Sequence, residues 1–177
     1  MTTLAATKRT FRVQHCQTKE DWERAVAIRV KVFVDEQKFS MEDELDDKDE
    51  SSDHFLLIAK NEDGAEEDAG TIRWWPKPNV HPPAGKLGRL AVLKHFRGGG
   101  SGKQLVLAME EHVKQRKGKA GVALKGEKHV KVICHSQTHA QNFYEKSGYV
   151  AEGDVFIEDG GPHILLTKVI ELVPETA

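Results

Sequence analysis

The sequence predicts a single mixed α/β domain. Its 177 residues suit one domain with a sizeable core, and no Ser/Pro/Gly-rich linker divides them. Strand-like and helix-like patterns alternate in the order β-α-β-β-β-α-β-α-β-β, with no internal repeat. In addition, four glycines lie within the five residues Gly98 to Gly102, between a predicted strand and a strongly helical run. The chain is therefore expected to place a special loop at one strand-to-helix junction of one sheet.

The first strand and the first helix follow from periodicity and capping. Alternation of apolar and polar residues predicts a strand from Thr10 to Gln17. Thr18, with Asp21 three residues later, is a variant of the capping box and marks a helix start. Apolar residues at helical spacing continue this helix to about Gln37: Trp22, Val26, Ile28, Val30 and Phe33.

The next three strands lead to the glycine loop. A continuous apolar run predicts a buried strand from His54 to Lys60, and Ala69 to Trp75 returns from a turn at 61–64 as the second arm of a hairpin. Four prolines then exclude regular structure through Ala84: Pro76, Pro78, Pro82 and Pro83. Leu87 to Leu93 is the fourth predicted strand.

The remaining elements follow the loop. A helix is predicted from Ser101 to Lys117 by an apolar stripe typical of core, whereas 118–128 is predicted to be an irregular loop. A strand at Val130–His135 precedes a short helix from Thr138 to Ser147, with Gly148 as its C′ residue. Two last strands, Tyr149–Ile157 and His163–Val169, are joined by a turn at 158–162.

Charge is unevenly distributed along the chain. Residues 42–53 carry eight carboxylates and one lysine, whereas residues 94–131 carry ten basic residues and three glutamates. Each segment could be a solvated face, or the molecule could have one side for phosphate and one side for a cation. An EF-hand is excluded, because no glycine lies between Ser40 and His54.

Composition excludes several classes. A net charge of −2 gives no reason to expect a nucleic-acid partner, and no run of 18 apolar residues predicts a membrane span. The amino-terminal residues lack the apolar run of a signal peptide, and Cys16 and Cys134 lack metal-binding spacing. A cytoplasmic location is expected, with the nucleus not excluded. Monomer and homodimer both remain open.

The glycine loop, His95 to Lys103, predicts an anion site. Exposed N–H groups at a helix N-terminus, flanked by Arg97 and Lys103, favour a phosphate or diphosphate. A flexible joint is the alternative. A P-loop is excluded, because its first glycine falls on Arg97 and Gln104 offers no hydroxyl for Mg²⁺. The dinucleotide fingerprint also fits poorly, because Lys103 stands where its last glycine belongs.

Two motifs carry a resemblance to a known family. They are Arg97-x-x-Gly100-x-Gly102 and Gln137-x-x-Ala140-x-x-x-Tyr144-x-x-x-Gly148-Tyr149. Together with the element order, they resemble the GNAT (Gcn5-related) N-acetyltransferase superfamily, although Gln137 stands where that family usually has Asn. The segments 32–37 and 159–164 are similar to its ElaA/YjcF-like branch. The resemblance implies a mixed, mostly antiparallel sheet of six or seven strands, splayed between strands 4 and 5 and flanked by helices.

The resemblance also implies acetyl-CoA as the cofactor. Its pantetheine arm would pair with the main chain of strand 4, and its diphosphate would bind the glycine loop. The implied cofactor-binding residues are Leu90, Ala91, Val92, Arg97, Gly98, Gly99, Gly100, Ser101, Gly102, Lys103, Gln137 and Asn142.

The implied reaction is direct attack by the primary amine of a small molecule on the thioester of acetyl-CoA. Tyr144 matches the family's general acid, and the backbone N–H of Val92 is the expected oxyanion donor. The base is expected among Glu36, His54, His135 and His163, with Glu36 preferred. No metal is expected, since the His135/His139 pair lacks a third ligand. A protein or peptide N-acetyltransferase and a non-catalytic CoA-binding protein are the alternatives.

Overall fold

A computed structural model describes residues 9–77 and 79–175. The expectations about the first eight residues and Pro78 therefore lie outside the described residues. Seven strands form one sheet: β1 (Thr10–His15), β2 (Asp53–Lys60), β3 (Glu66–Pro76), β4 (Ala84–Val92), β5 (His129–Gln137), β6 (Val150–Glu158) and β7 (Gly161–Glu171). Five α-helices accompany it: α1 (Lys19–Arg29), α2 (Met41–Glu44), α3 (Ser101–Lys114), α4 (Gly118–Ala123) and α5 (Gln141–Glu145).

The sheet has the strand order β1-β2-β3-β4-β5-β7-β6. All neighbours are antiparallel except β4 and β5, which run parallel. These two strands pair only from Ala84 opposite Lys131 to Leu87 opposite Cys134, although both continue beyond that point. The predicted splayed, mixed sheet is confirmed.

Helix α1 begins where the capping box predicts and ends in an unusual way. The Thr18 side chain accepts from the Asp21 N–H, and the Asp21 carboxylate accepts from the Thr18 N–H. From Val30 to Glu36 the chain is π-helical, with the Gln37 N–H donating to the Val32 carbonyl at 3.0 Å. Such segments are rare and occur mostly at functional sites.

Two apolar clusters fill the two faces of the sheet. The larger lies under α3, α4 and α5 and includes Phe55, Leu57 and Met109. The smaller lies under α1 and includes Ala25, Leu56 and Ile58. Because β2 alternates between the two clusters and is buried on both faces, its sequence shows an unbroken apolar run.

Several predicted elements differ from the structure; β3 starts at Glu66 rather than Ala69, and α3 ends at Lys114 rather than Lys117. Residues 118–123 form α4 instead of a loop, because the Asp53 carboxylate accepts the N–H groups of Lys119 and Ala120 and so caps the helix. Strand β4 starts at Ala84 rather than Leu87. The helix predicted from Thr138 divides into a 3-10 turn at Thr138–Ala140 and α5.

Gly148 ends the α5 segment as predicted. Its φ is +88°, and the Tyr149 N–H donates to the Tyr144 carbonyl at 3.1 Å, the pattern of a Schellman motif. Within the described part of the chain, no helix is long and apolar enough to cross a membrane.

Candidate active site

A cleft opens where β4 and β5 separate. Strand β4 carries a bulge at this point, with Arg89 at a φ of +52°. A residue other than glycine at positive φ bends the strand locally at some cost in strain. Two connected cavities occupy the cleft, and they share residues from both sides of it: Gln37, Phe39, Leu90, Gln137 and His139.

The inner cavity has a volume of about 540 Å³. Its apolar wall includes Trp75 and Phe143, and Tyr144, His135 and His163 also line it. The outer cavity, of about 560 Å³, is lined by Glu36, the backbone of β4 and Arg97. The cleft therefore has an inner compartment with an apolar wall and an outer compartment that contains the Glu36 and Arg97 side chains. Leu90 is one of the residues that line both.

The backbone of β4 turns polar groups into the cleft. The Leu93 N–H donates to the Ala69 carbonyl at 2.9 Å, so residues 93 and 91 form the hydrogen-bonded pairs with β3. The N–H groups of Leu90 and Val92 then point away from β3. The Arg97 Nε atom donates to the Val92 carbonyl at 2.9 Å, which places the polar groups of Val92 on this open edge. Leu90 lines both cavities, whereas Val92 lines the outer one.

Within the glycine loop, Gly98, Gly99 and Gly100 are exposed and line neither cavity, whereas Arg97 lines the outer one. Gly98, Gly99 and Gly100 have φ values of +89°, +57° and +86°. Gly100 is the N-cap residue of α3 and offers no side chain to its N–H groups. The first turn of α3 therefore has backbone donors available to an anion.

The other loop residues divide between inward and outward positions. The Ser101 hydroxyl turns inward, donating to the Phe96 carbonyl at 2.7 Å. A Cβ atom at Gly102 would lie 3.2 Å from the Phe143 ring, so glycine permits α3 to pack against α5. The Lys103 side chain is exposed. Ala91, which lies on β4 and not in the loop, is buried.

Two polar bridges cross the outer cavity. The Arg97 guanidinium donates to both carboxylate oxygens of Glu36, at 2.6 and 2.7 Å. This bond and the charge of Arg97 lower the pKa of Glu36. The Gln137 amide donates to the Gln37 side chain at 2.9 Å. The end of the π-helical segment is thus joined to both sides of the cleft.

Tyr144 lies at the point where the strands part. It is buried, with its hydroxyl beside the Cys134 thiol in the inner cavity. Burial, followed by the proximity of Cys134, raises the pKa of Tyr144 well above its ordinary value. Burial also raises the pKa of Cys134 to about 12. Both groups therefore remain protonated at neutral pH.

Two of the candidate histidines line the inner cavity. The His163 Nδ1 atom lies 3.0 Å from the Gly161 carbonyl, so it carries the hydrogen and leaves Nε2 with a lone pair in the neutral ring. The His135 Nδ1 atom lies 2.8 Å from the Glu158 carboxylate and 3.1 Å from the Lys86 amine. The carboxylate accepts a hydrogen from Nδ1, whereas the ammonium group donates one to it, so the two contacts favour opposite tautomers. His54 lines neither cavity and bonds to the Asp49 carbonyl at 2.9 Å.

The acidic segment forms a wall of the inner cavity. Three of its carboxylates pair with the buried Arg29 and Arg73 and the half-buried Arg89, in a network that contains Glu44, Asp46 and Asp49. Burial acts to raise the pKa of Asp46, but the hydrogen bond and charge of Arg73 outweigh it and lower the pKa to about 2. These charges are neutralised internally. For these three carboxylates the structure therefore shows a third arrangement, which is neither a solvated face nor a charge free to attract a cation.

The predicted site residues and the residues that line the two cavities are not the same set. Asn142 is exposed on α5 and lines neither cavity. Gln37 and Glu158 were not identified, although both line the inner cavity. Glu158 ends β6 just before the Asp159-Gly160-Gly161 turn, and its position in the hairpin with His163 was the one available signal.

Comparison with known proteins gives a consistent result. Residues 18–170 match the family model described as an acetyltransferase (GNAT) domain. The chain is 33% identical to the uncharacterized N-acetyltransferase YjcF of Bacillus subtilis, with 86% of this chain and 95% of YjcF covered. The crystal structure of a provisionally assigned N-acetyltransferase of Lactobacillus plantarum superposes with a TM-score of 0.69 at 28% identity, covering 92% of this chain and 99% of that one. ElaA of Escherichia coli shares the fold, with a TM-score of 0.66 at 24% identity, covering 91% and 99%.

Proposed function

Because this chain belongs to the GNAT acetyltransferase family, in its ElaA/YjcF-like branch, we propose that it transfers an acetyl group from acetyl-CoA to the primary amine of a small molecule. The family supports acyl-CoA-dependent transfer to nitrogen in general. The observation that carries the specific proposal is the parting of β4 and β5 beyond Leu87 and Cys134, with Tyr144 inside the gap.

The donor is proposed to enter through the outer cavity. There the polar groups on the open edge of β4 can pair with the amides of the pantetheine arm, as an added strand would. The diphosphate is proposed to bind the uncapped first turn of α3, with Lys103 and Arg97 adding positive charge. Since Glu36 holds Arg97 in a two-point ion pair, a diphosphate would compete with Glu36 for that guanidinium.

The reaction is proposed to take place next to Leu90. The amine nitrogen attacks the thioester carbonyl, the carbonyl oxygen becomes an oxyanion, and collapse of the tetrahedral intermediate releases the CoA thiolate. Of the two N–H groups on the open edge, that of Leu90 shares a cavity with Tyr144, so it is our first choice of oxyanion donor, with Val92 second. Tyr144, which is kept protonated by burial, donates to the departing sulfur.

We propose His163 as the base that removes a proton from the incoming ammonium group. It lines the inner cavity with Tyr144, and its Nδ1–H is held by the Gly161 carbonyl. Glu36 is a weaker choice, because it lines the outer cavity and Arg97 lowers its pKa. His135, held by Glu158 and Lys86, is proposed to orient the acceptor.

The size of the inner cavity supports a small acceptor. Its volume, about 540 Å³, lies within the range of about 300–1,000 Å³ typical of small-molecule sites. The acidic segment forms one wall of this cavity and is held in place by buried ion pairs. A peptide chain would need an open groove at the position of this wall.

Donor binding is tested by Gly100→Val. Calorimetric titration of the wild-type chain with acetyl-CoA should give binding, whereas ATP and NAD should give none. Valine at Gly100 is strained at a φ of +86° and covers the first turn of α3, so we expect at least a tenfold loss of acetyl-CoA affinity.

Gly64→Val is the matched control. Gly64 has a φ of +85° in the β2–β3 turn, and a Cβ atom would contact nothing at either position. The two variants should lose similar stability, and Gly64→Val should keep its affinity. Equal affinity in both variants, or absence of acetyl-CoA binding by the wild-type chain, would overturn the proposed donor site.

The base is tested by His163→Gln. We expect turnover to fall about 100-fold while acetyl-CoA affinity remains. His54→Gln is the control, since that ring lies outside both cavities. Turnover of His163→Gln equal to that of His54→Gln would assign the proton transfer to another group.

A further inference from the structure

A second cluster of chemically active side chains lies outside the cleft. His15 at the end of β1, Asp53 at the start of β2 and His112 on α3 place their ligand atoms within 4.8 Å of one another. None of the three lines either cavity. Acetyl transfer as proposed above makes no use of them.

The geometry of this His-Asp-His cluster is compact. The His15 Nε2 atom lies 3.0 Å from one Asp53 carboxylate oxygen, and the His112 Nε2 atom lies 3.3 Å from the other. The two imidazole rings are 4.4 Å apart, and Phe55 packs against both. Three elements that are distant in sequence therefore direct ligand atoms to one point.

His112 supplies an independent indication that something else binds here. The residue is 8% exposed, and its Nε2 atom lies 3.3 Å from an Asp53 oxygen without the alignment of a full hydrogen bond. A buried polar atom without a partner is costly unless a ligand satisfies it. Two imidazoles and a carboxylate are ligands that suit divalent transition metals.

The distances suit a tetrahedral ion. Zn²⁺ binds imidazole nitrogen and carboxylate oxygen at about 2.0–2.2 Å, and two such ligands in a tetrahedron lie about 3.3 Å apart. Each histidine nitrogen lies near this distance from one of the two Asp53 oxygens, at 3.0 Å for His15 and 3.3 Å for His112, and all the ligand atoms lie within 4.8 Å of one another. The backbone N–H groups of Lys119 and Ala120 hold the carboxylate from outside, as supporting groups do around metal ligands.

The surrounding backbone leaves room at this point only because Gly118 has no side chain. A Cβ atom there would lie 2.9 Å from the His112 Nε2 atom and closer still to the Asp53 carboxylate. His15 keeps the cluster accessible, since 25% of its side chain is exposed. An ion could therefore reach the cluster from solvent.

We propose that His15, Asp53 and His112 form a binding site for one divalent transition-metal ion, with Zn²⁺ as the best match. A water molecule completes the coordination. The ion ties β1, β2 and α3 together and increases the stability of the fold, since it binds the folded chain more tightly than the unfolded one.

The test is Zn²⁺ titration of the full chain without a histidine tag, after treatment with a chelator and against a chromogenic competitor. We expect one Zn²⁺ per chain with micromolar or tighter affinity, together with a rise in Tm. Co²⁺ in place of Zn²⁺ should give the visible absorption of a tetrahedral site. His15→Ala should weaken Zn²⁺ binding about 100-fold and abolish the Tm increase.

His129→Ala is the matched control, because His129 is exposed at the start of β5 and outside the cluster. It should bind Zn²⁺ as the wild-type chain does. His112→Ala, checked for folding by circular dichroism, should behave as His15→Ala does. Zn²⁺ affinity that is unchanged in His15→Ala, or no stoichiometric binding by the wild-type chain, would show that the cluster is only a hydrogen-bonded support for α4.

Discussion

Tyr144→Phe is expected to reduce turnover about 100-fold while the affinity for acetyl-CoA changes less than twofold. The substitution removes one oxygen and keeps the ring, so packing against Phe143 and Tyr149 is preserved. What is lost is the hydroxyl donor that burial keeps protonated in the inner cavity, beside the parted strands. General acids of this kind contribute about 10²–10⁴-fold to rate. The measurement is CoA release, with an amine identified from an acceptor library, together with calorimetric titration of acetyl-CoA.

Tyr149→Phe is the matched control for this experiment. Its ring centroid lies 5.8 Å from that of Tyr144, it is also buried, and it lines neither cavity. Its turnover should equal that of the wild-type chain. If both variants were fully active at every pH, the general-acid role of Tyr144 would be rejected. If both lost activity equally, the effect would be one of packing.

Arg29→Met is expected to lower the free energy of unfolding by about 3–5 kcal/mol. Arg29 is fully buried and holds two carboxylates of the acidic segment, with its Nη1 atom 2.9 Å from the Asp49 oxygen. Methionine keeps most of the apolar stem but leaves Glu44 buried without its main partner. Because the segment walls the inner cavity, the KM for the acceptor should rise more than the KM for acetyl-CoA. Denaturant unfolding and steady-state kinetics measure the two effects.

Arg12→Met supplies the control, because Arg12 makes a comparable two-point pair with Glu66 at the surface. With side chains 49% and 41% exposed, that pair should contribute less than about 1 kcal/mol. A loss in Arg29→Met no larger than in Arg12→Met would show that the network does not stabilise the fold.

The network of Glu44, Asp46 and Asp49 with their arginines should also influence the pH at which the chain unfolds in acid. The pKa of Asp46 in the folded chain is lowered to about 2, below its value of about 4 when unfolded. Its stabilising contribution is therefore complete above about pH 4 and is lost as the pH falls toward 2. The midpoint of acid unfolding should move to higher pH when Arg73 is replaced by methionine.

Local signals predicted most of the elements, and long-range contacts explain the errors. The capping box at Thr18 and the glycine at 148 act within a few residues, so the sequence was sufficient there. Helix α4 depends on Asp53, more than sixty residues away, which no local pattern reveals. Arg29 was not expected in the core, since its partners lie on a separate segment.

The candidate site shows the same division. The two motifs included Tyr144, which lines the inner cavity, and Arg97, which lines the outer one. They did not reveal that Glu36 binds Arg97, because that contact crosses 61 residues and depends on how the first helix ends. Nor did they separate His163 from the other histidines, since the hydrogen bond to the Gly161 carbonyl exists only in the folded hairpin.

The π-helical segment makes chain length as important as composition in this region. Each residue of an α-helix turns the chain by about 100°, whereas a π-helix turns it less per residue, so the same residues Val30–Glu36 wound as an α-helix would rotate the following side chains by roughly one residue's turn. Glu36 and Gln37 would then leave the cleft, and both bridges across it would be lost. A chain with one residue fewer between Val30 and Glu36 would instead be expected to reach the outer cavity with a regular α-helix.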